Sequence, residues 1–142
     1  MQNNLKVSYL STRILRIFLS GIFLVASFNH LVNSEKTVAR LEGANFKGIA
    51  YFFGNPELLV IISGAIMLMA GISFLLGIET RYAAIILALV LLPITLTVQV
   101  GQITTLGPLF KNIAIMGGLL FFIMNDIERD DLLKKPKKFK IN

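Results

Sequence analysis

Apolar positions in this chain run unbroken over the thickness of a bilayer instead of alternating with polar ones. From Leu58 to Ile78 the sequence LLVIISGAIMLMAGISFLLGI carries no charge. A helix rising about 1.5 Å per residue needs about 20 such residues to cross a hydrocarbon layer of roughly 30 Å. Glu79-Thr80-Arg81 interrupts the pattern, and Tyr82 to Val100 supplies a second apolar run. Ile14 to Val32 and the stretch from Leu109 add two more, the latter strongly apolar from Ile113 to Met124. It carries Lys111 and is short, so it must end near the interface or run on to Ile127. The pattern predicts an all-α polytopic membrane protein, a bundle of four transmembrane helices over 14–32, 58–78, 82–100 and 109–127. Residues 1–127 then form one domain, and 128–142 a basic tail.

The segment from Asn33 to Pro56 is too polar to span. Val38, Leu41 and Ala44 recur at near-helical spacing among Lys36, Arg40, Glu42 and Lys47, which predicts a helix lying in the interface between the first two spans. Asn55-Pro56-Glu57 then reads as a helix start: Asn55 as N-cap, Pro56 at the first helical position, Glu57 against the positive dipole end. The first span has a competing reading as a signal peptide, with basic Arg13 and Arg16 ahead of it and small residues at Ala26-Ser27. The polar Asn29-His30 pair and the helical pattern beyond favour a retained helix. Arg13 and Arg16 are expected to snorkel to headgroups. Small residues at Gly64/Gly71, Ala84/Ala88 and Ala114/Gly118 have the spacing that lets membrane helices approach closely.

Composition agrees with the membrane class: 55% hydrophobic residues, 15% charged and a mean hydropathy of +0.73 leave too little polar surface for a water-soluble domain. In 142 residues no room remains for a separate catalytic domain. The absence of cysteine excludes thiolate metal sites, iron–sulfur clusters and disulfide exchange within the chain. With one histidine, bis-histidine haem ligation is excluded too. No P-loop, GxGxxG, HExxH or GxSxG sequence occurs. Asp126, Glu128, Asp130 and Asp131 read as solvated carboxylates, with no metal.

The net charge of +6 reports orientation, and nucleic acid is not an expected partner. Ten basic residues fall at the amino terminus, the Glu79–Arg81 hinge and the tail; four (Lys36, Arg40, Lys47, Lys111) fall in the opposite connections. The positive-inside rule then places both termini in the cytoplasm. The basic tail, KKPKKFK, also suits an anionic leaflet.

With that topology the polar residues at one set of helix ends converge on the outer face: Asn29, His30, Asn55, Glu57, Gln99, Gln102, Lys111 and Asn112. Polar groups among apolar helices either pair or line a wet cavity. A pocket of Asn29, His30, Glu57, Gln99, Gln102, Lys111 and Asn112 can bind a polar ring such as a quinone. The competing reading is that these residues are merely interfacial. At the inner face Arg16, Glu79 and Arg81 are expected to form a structural ion pair that pins the hinge.

GISFLLGIETRYAAIILALVLL followed by GPLFKNIAIMGGLLFFI resembles the DoxX family of small bacterial four-helix membrane proteins. Arg16, Gly21 and His30-Leu31 extend the likeness, which covers roughly Arg13 to Met124. Its specific parts are Gly71, Gly77, Thr80-Arg81, Ala83-Ala84 and Lys111-Asn112. The resemblance implies a four-helix fold in the bacterial cytoplasmic membrane and an association with redox systems. Some relatives are small subunits of thiosulfate:quinone oxidoreductase, and others partner sulfur-handling or superoxide-removing enzymes. Relatives often carry a glutamate before the glycine pair of the second span; Ala65-Ile66-Met67-Leu68 is uncharged here. The expectation is a non-catalytic subunit or anchor, not an enzyme by itself, with quinone as candidate cofactor and an oxidoreductase or a second copy of the chain as candidate partner. A transporter, with Thr95, Thr97, Gln99 and Gln102 lining a path broken by Pro93, and a structural or stress-linked membrane protein are the alternatives.

Overall fold

The computed structural model describes residues 7–101 and 103–125. Gln102, the four carboxylates from 126 onward and the basic tail lie outside the described residues. The chain forms α1 (Tyr9–Val32), α2 (Ser34–Glu42), α3 (Lys47–Phe52), α4 (Pro56–Leu76), α5 (Thr80–Val98) and, after a 3-10 turn, α6 (Leu106–Asn125). Four of these helices are long and apolar enough to cross a membrane. The protein is therefore a multi-pass membrane protein, and its helices contact lipid directly. Phe18, Met69 and Met124 are 70–80% exposed, an arrangement that hydrocarbon satisfies and water does not.

The helices pack in series, α1 on α4, α4 on α5 and α5 on α6, while α1 meets α6 more lightly where Leu19 sits against Gly118. Lipid gives apolar faces no reason to associate, so the contacts depend on close fit. Gly64 meets that need. A Cβ there would stand 2.8 Å from His30 Cβ, so only a bare Cα lets α1 and α4 approach this closely. Gly71 lies on the same face of α4, against Leu24. Gly118 repeats the device on α6, whereas its expected companion Ala114 is exposed. Phe23, Met67, Phe74, Leu87, Leu119 and Phe122 fill the centre, with the Phe74 and Phe122 rings edge to face at 4.9 Å.

The expected start of the second span is present. Asn55 Oδ1 accepts from the Glu57 N–H at 3.0 Å, with Pro56 in the first turn. At its other end Gly77 takes a left-handed φ of 75°, and Ile78 N–H donates to the Ser73 carbonyl at 3.0 Å, closing a Schellman turn. Ser73 Oγ returns a hydrogen bond to the Ile78 carbonyl at 2.7 Å.

Between α1 and α4 the chain makes two short helices instead of one. The break falls at Gly43–Phe46, where Gly43 closes α2 and turn backbone intervenes before α3. This arch is fastened to the far side of the bundle. Asn45 Nδ2 donates to the Gly101 carbonyl at 2.9 Å, and Phe46 packs against the same glycine. The arch thus covers the ends of α4 and α5 where α1 terminates.

Candidate functional site

Under the arch lies a cavity of about 270 Å³, just below the roughly 300–1,000 Å³ typical of small-molecule pockets. Leu41, Ala50 and Phe53 roof it, Val60, Ser63 and Ile66 of α4 form one wall, and Leu89, Pro93 and Thr97 of α5 form the other. His30 closes the side facing α1. Ile62, Ile66 and Leu89 are exposed on the outside of the bundle, at 48, 39 and 65%, so the cavity opens sideways between α4 and α5 toward lipid. Ile66 sits ten residues beyond Pro56, about 15 Å down the helix at 1.5 Å per residue, which takes the slot to mid-membrane depth.

Two features set its chemistry. His30 Nδ1 lies 3.0 Å from Ser63 Oγ, and Ser63 Oγ lies 2.8 Å from the Val60 carbonyl. The two contacts tie the His30 ring on α1 to the Ser63 hydroxyl and the backbone of α4. Pro93, inside α5, has no N–H to give the Leu89 carbonyl, and both residues line the cavity. That carbonyl is released from the helix ladder.

Among the described residues that were expected to converge here, His30 is the one that lines the cavity; Gln102 lies outside the described residues. Asn29 is exposed one position away. Asn55 is engaged in the helix cap, and Glu57 and Lys111 are exposed. Asn112 turns to the opposite side of α5, where its Nδ2 donates to Thr95 Oγ1 at 2.9 Å and Thr95 in turn donates to the Leu91 carbonyl. Gln99 is half-buried; its carbonyl accepts from Thr105 Oγ1 at 2.7 Å, and its Oε1 is buried without a hydrogen-bond partner. Thr97 faces the cavity and Thr95 faces α6, so the two threonines do not share one path. Ser63 and Thr37, both in the lining, were not among the expected residues. The one signal for Ser63 was a hydroxyl in the uncharged run from Leu58.

At the other end of the bundle Arg13 is exposed, while Arg16 is 6% exposed instead of reaching outward. Its position on α1 turns it toward α4, and its guanidinium lies against Gly77, where a Cβ would come within 2.5 Å of Nη1. Glu79 and Arg81, both exposed, flank the start of α5, Glu79 with a left-handed φ of 46°. Arg16 and the hinge are thus brought together.

These features define the class: a four-helix membrane bundle with a laterally open, mainly apolar cavity beneath an interfacial arch. The DoxX family model matches residues 11–100, and the chain belongs to the DoxX family. The match runs from α1 to beyond the end of α5 and contains every residue that lines the cavity. No curated protein and no solved structure matches the chain.

Proposed function

We propose that this DoxX-family protein is a non-catalytic subunit or anchor of a redox system in the bacterial cytoplasmic membrane, with both termini inside and the arch outside. Its cavity receives the ring of a quinone from the bilayer. The carrying observation is the arch-covered slot, whose apolar walls open to lipid and whose polar edge is the His30–Ser63 pair. Apolar walls with one or two placed polar groups suit a flat amphiphile better than an ion or sugar. A quinone would supply a two-electron acceptor there. The chain's part is to bind and orient the ring and exclude water, because no carboxylate lines the cavity to move protons. The electron donor is then a partner oxidoreductase docking on the bundle.

The test is purification from native membranes in mild detergent, with lipid extraction and mass spectrometry of retained proteins. Wild type is expected to keep quinone and an oxidoreductase, and the cavity-filling Ile66→Trp to lose the quinone. Wild type retaining neither overturns the reading. Because the chain has no cysteine, single cysteines at Lys47 and Lys140 report orientation through impermeant labelling. Position 47 is expected to label from outside and 140 only after lysis.

A further inference from the structure

The two halves of the arch present different surfaces. α2 shows charge: Glu35, Lys36, Arg40 and Glu42 are all exposed. α3 shows rings. Lys47 at its start is its one charged residue, and Tyr51, Phe52 and Phe53 follow with exposures between 47 and 86%. Phe52 and Phe53 stand edge to face with centroids 5.6 Å apart and form one ridge. On the inner side Ala50 is buried and, with Ile49 and Phe53, lines the cavity.

The ridge runs on into a surface that already meets lipid. Phe53 of the arch and Ile62 of α4 both line the cavity and both are exposed, and Ile62 belongs to a membrane-crossing helix. Ile103, two residues past the Gly101 carbonyl that anchors Asn45, is 87% exposed at the same end of the bundle. Aromatic rings beside a lysine at the end of a span fit the boundary between headgroups and acyl chains. The rings enter the apolar side, while the tyrosine hydroxyl and the ammonium reach phosphate and water. From this division we infer that α3 and the adjoining Phe53 are the lipid-inserted half of the arch, docked at the headgroup–acyl boundary of the leaflet at that end, and that α2 is the half in water. The interfacial role expected of the whole segment from Asn33 to Pro56 then falls to its second half alone.

Such docking gives the cavity a roof anchored in lipid. Asn45 ties the start of α3 to Gly101, and the ridge ties its end to the leaflet. Phe53 contributes to the lining and is also exposed, which sets the upper rim of the cavity at the depth of the headgroups. An amphiphile resting in the leaflet with its polar end among the headgroups then meets the cavity at its own depth. The placement is independent of which amphiphile the cavity takes.

The chain contains no tryptophan, so a single introduced indole reports alone. Phe52→Trp and Tyr51→Trp on the ridge and Lys36→Trp on α2 are each placed in nanodiscs of phosphatidylcholine and phosphatidylglycerol, whose two faces are both open to solvent. Quenching is read with lipids carrying a nitroxide just below the headgroup, with lipids carrying it at the chain end, and with aqueous iodide. Both ridge indoles are expected to be quenched at least about twofold more by the shallow nitroxide than by the deep one, and at least about twofold less by iodide than the Lys36→Trp indole. Two ridge positions guard against a local distortion at either. Iodide quenching of the ridge equal to that of α2 overturns the inference, as does dominant quenching by the deep nitroxide. Ridge indoles shielded from iodide and from both nitroxides would show that protein covers the ridge, a second copy or another chain, and overturn it too. Shallow-nitroxide quenching of Lys36→Trp equal to that of the ridge overturns the division of the arch.

Discussion

His30 and Gly64 face each other across the α1–α4 contact so closely that a Cβ on residue 64 would lie 2.8 Å from His30 Cβ, and one residue away His30 Nδ1 reaches Ser63 Oγ at 3.0 Å. The steric and the polar contact are one device. The bare Cα at 64 lets α1 close on α4, and that approach brings the ring within reach of Ser63. Gly64→Ala is therefore expected to force the helices apart and to cost about 1–3 kcal/mol, the usual penalty of overpacking. Unfolding of the detergent-solubilised protein in increasing SDS fraction measures it. An unchanged transition would mean that the contact yields without cost.

Ser63→Ala removes the hydroxyl that faces His30 Nδ1 and leaves the apolar packing in place. Interhelical hydrogen bonds in membranes are worth about 0.6–2 kcal/mol. A double-mutant cycle of Ser63→Ala with His30→Phe is expected to return a coupling energy in that range. Additive effects would show that the 3.0 Å contact does not stabilise the fold.

The hinge makes opposite predictions for two positions, Gly77 and Glu79. Gly77 has a φ of 75° and the Arg16 guanidinium against it, so Gly77→Ala combines backbone strain with a clash and is expected to destabilise by more than about 1–2 kcal/mol. Glu79 also occupies the left-handed region, at a φ of 46°, and it is exposed. Glu79→Gly relieves that cost and is expected to be neutral or stabilising by up to about 1 kcal/mol. A clear loss of stability in Glu79→Gly, read on the same SDS titration, would instead make the Glu79 carboxylate a working member of the Arg16/Arg81 cluster.

The four spans were legible because length and lack of charge suffice to specify a membrane helix, and the Asn55-Pro56-Glu57 start was legible because capping is local chemistry. The cavity was not. Its walls are Ile, Leu and Val residues that look like any lipid-facing position, and His30 and Ser63 are brought together only by the α1–α4 packing, across 33 positions of chain. Pooling every polar residue at the same set of helix ends captured depth but not azimuth. Asn112 and Lys111 share the level of His30, yet Asn112 faces α5 through Thr95 and Lys111 faces outward. The arch divided for a reason visible only in part: Gly43 marks a helix end, but the anchoring of Asn45 to Gly101 is a tertiary fact.

Asn112 supplies the corresponding tie on the other side of α5. It is 6% exposed, and its Nδ2 donates to Thr95 Oγ1. Asn112→Leu alone leaves Thr95 without its donor and buries a larger apolar side chain beside it, while adding Thr95→Val removes the polar partner as well. The double variant is expected to recover at least half of the stability lost in Asn112→Leu, because replacing both members of a buried pair costs less than orphaning one. A double variant no more stable than the single one would show that the site depends on shape and not on the bond.

Pro93 sets the packing of its ring against a missing hydrogen bond in α5. A proline inside a soluble helix costs about 3 kcal/mol, and membrane helices tolerate one where neighbouring groups satisfy the released carbonyl. Here that carbonyl belongs to Leu89, on the cavity wall. Pro93→Ala restores the N–H, closes the ladder and consumes the acceptor. The variant is expected to be at least as stable as wild type in SDS. A clear loss of stability in Pro93→Ala would show that the packing of the proline ring outweighs the missing hydrogen bond.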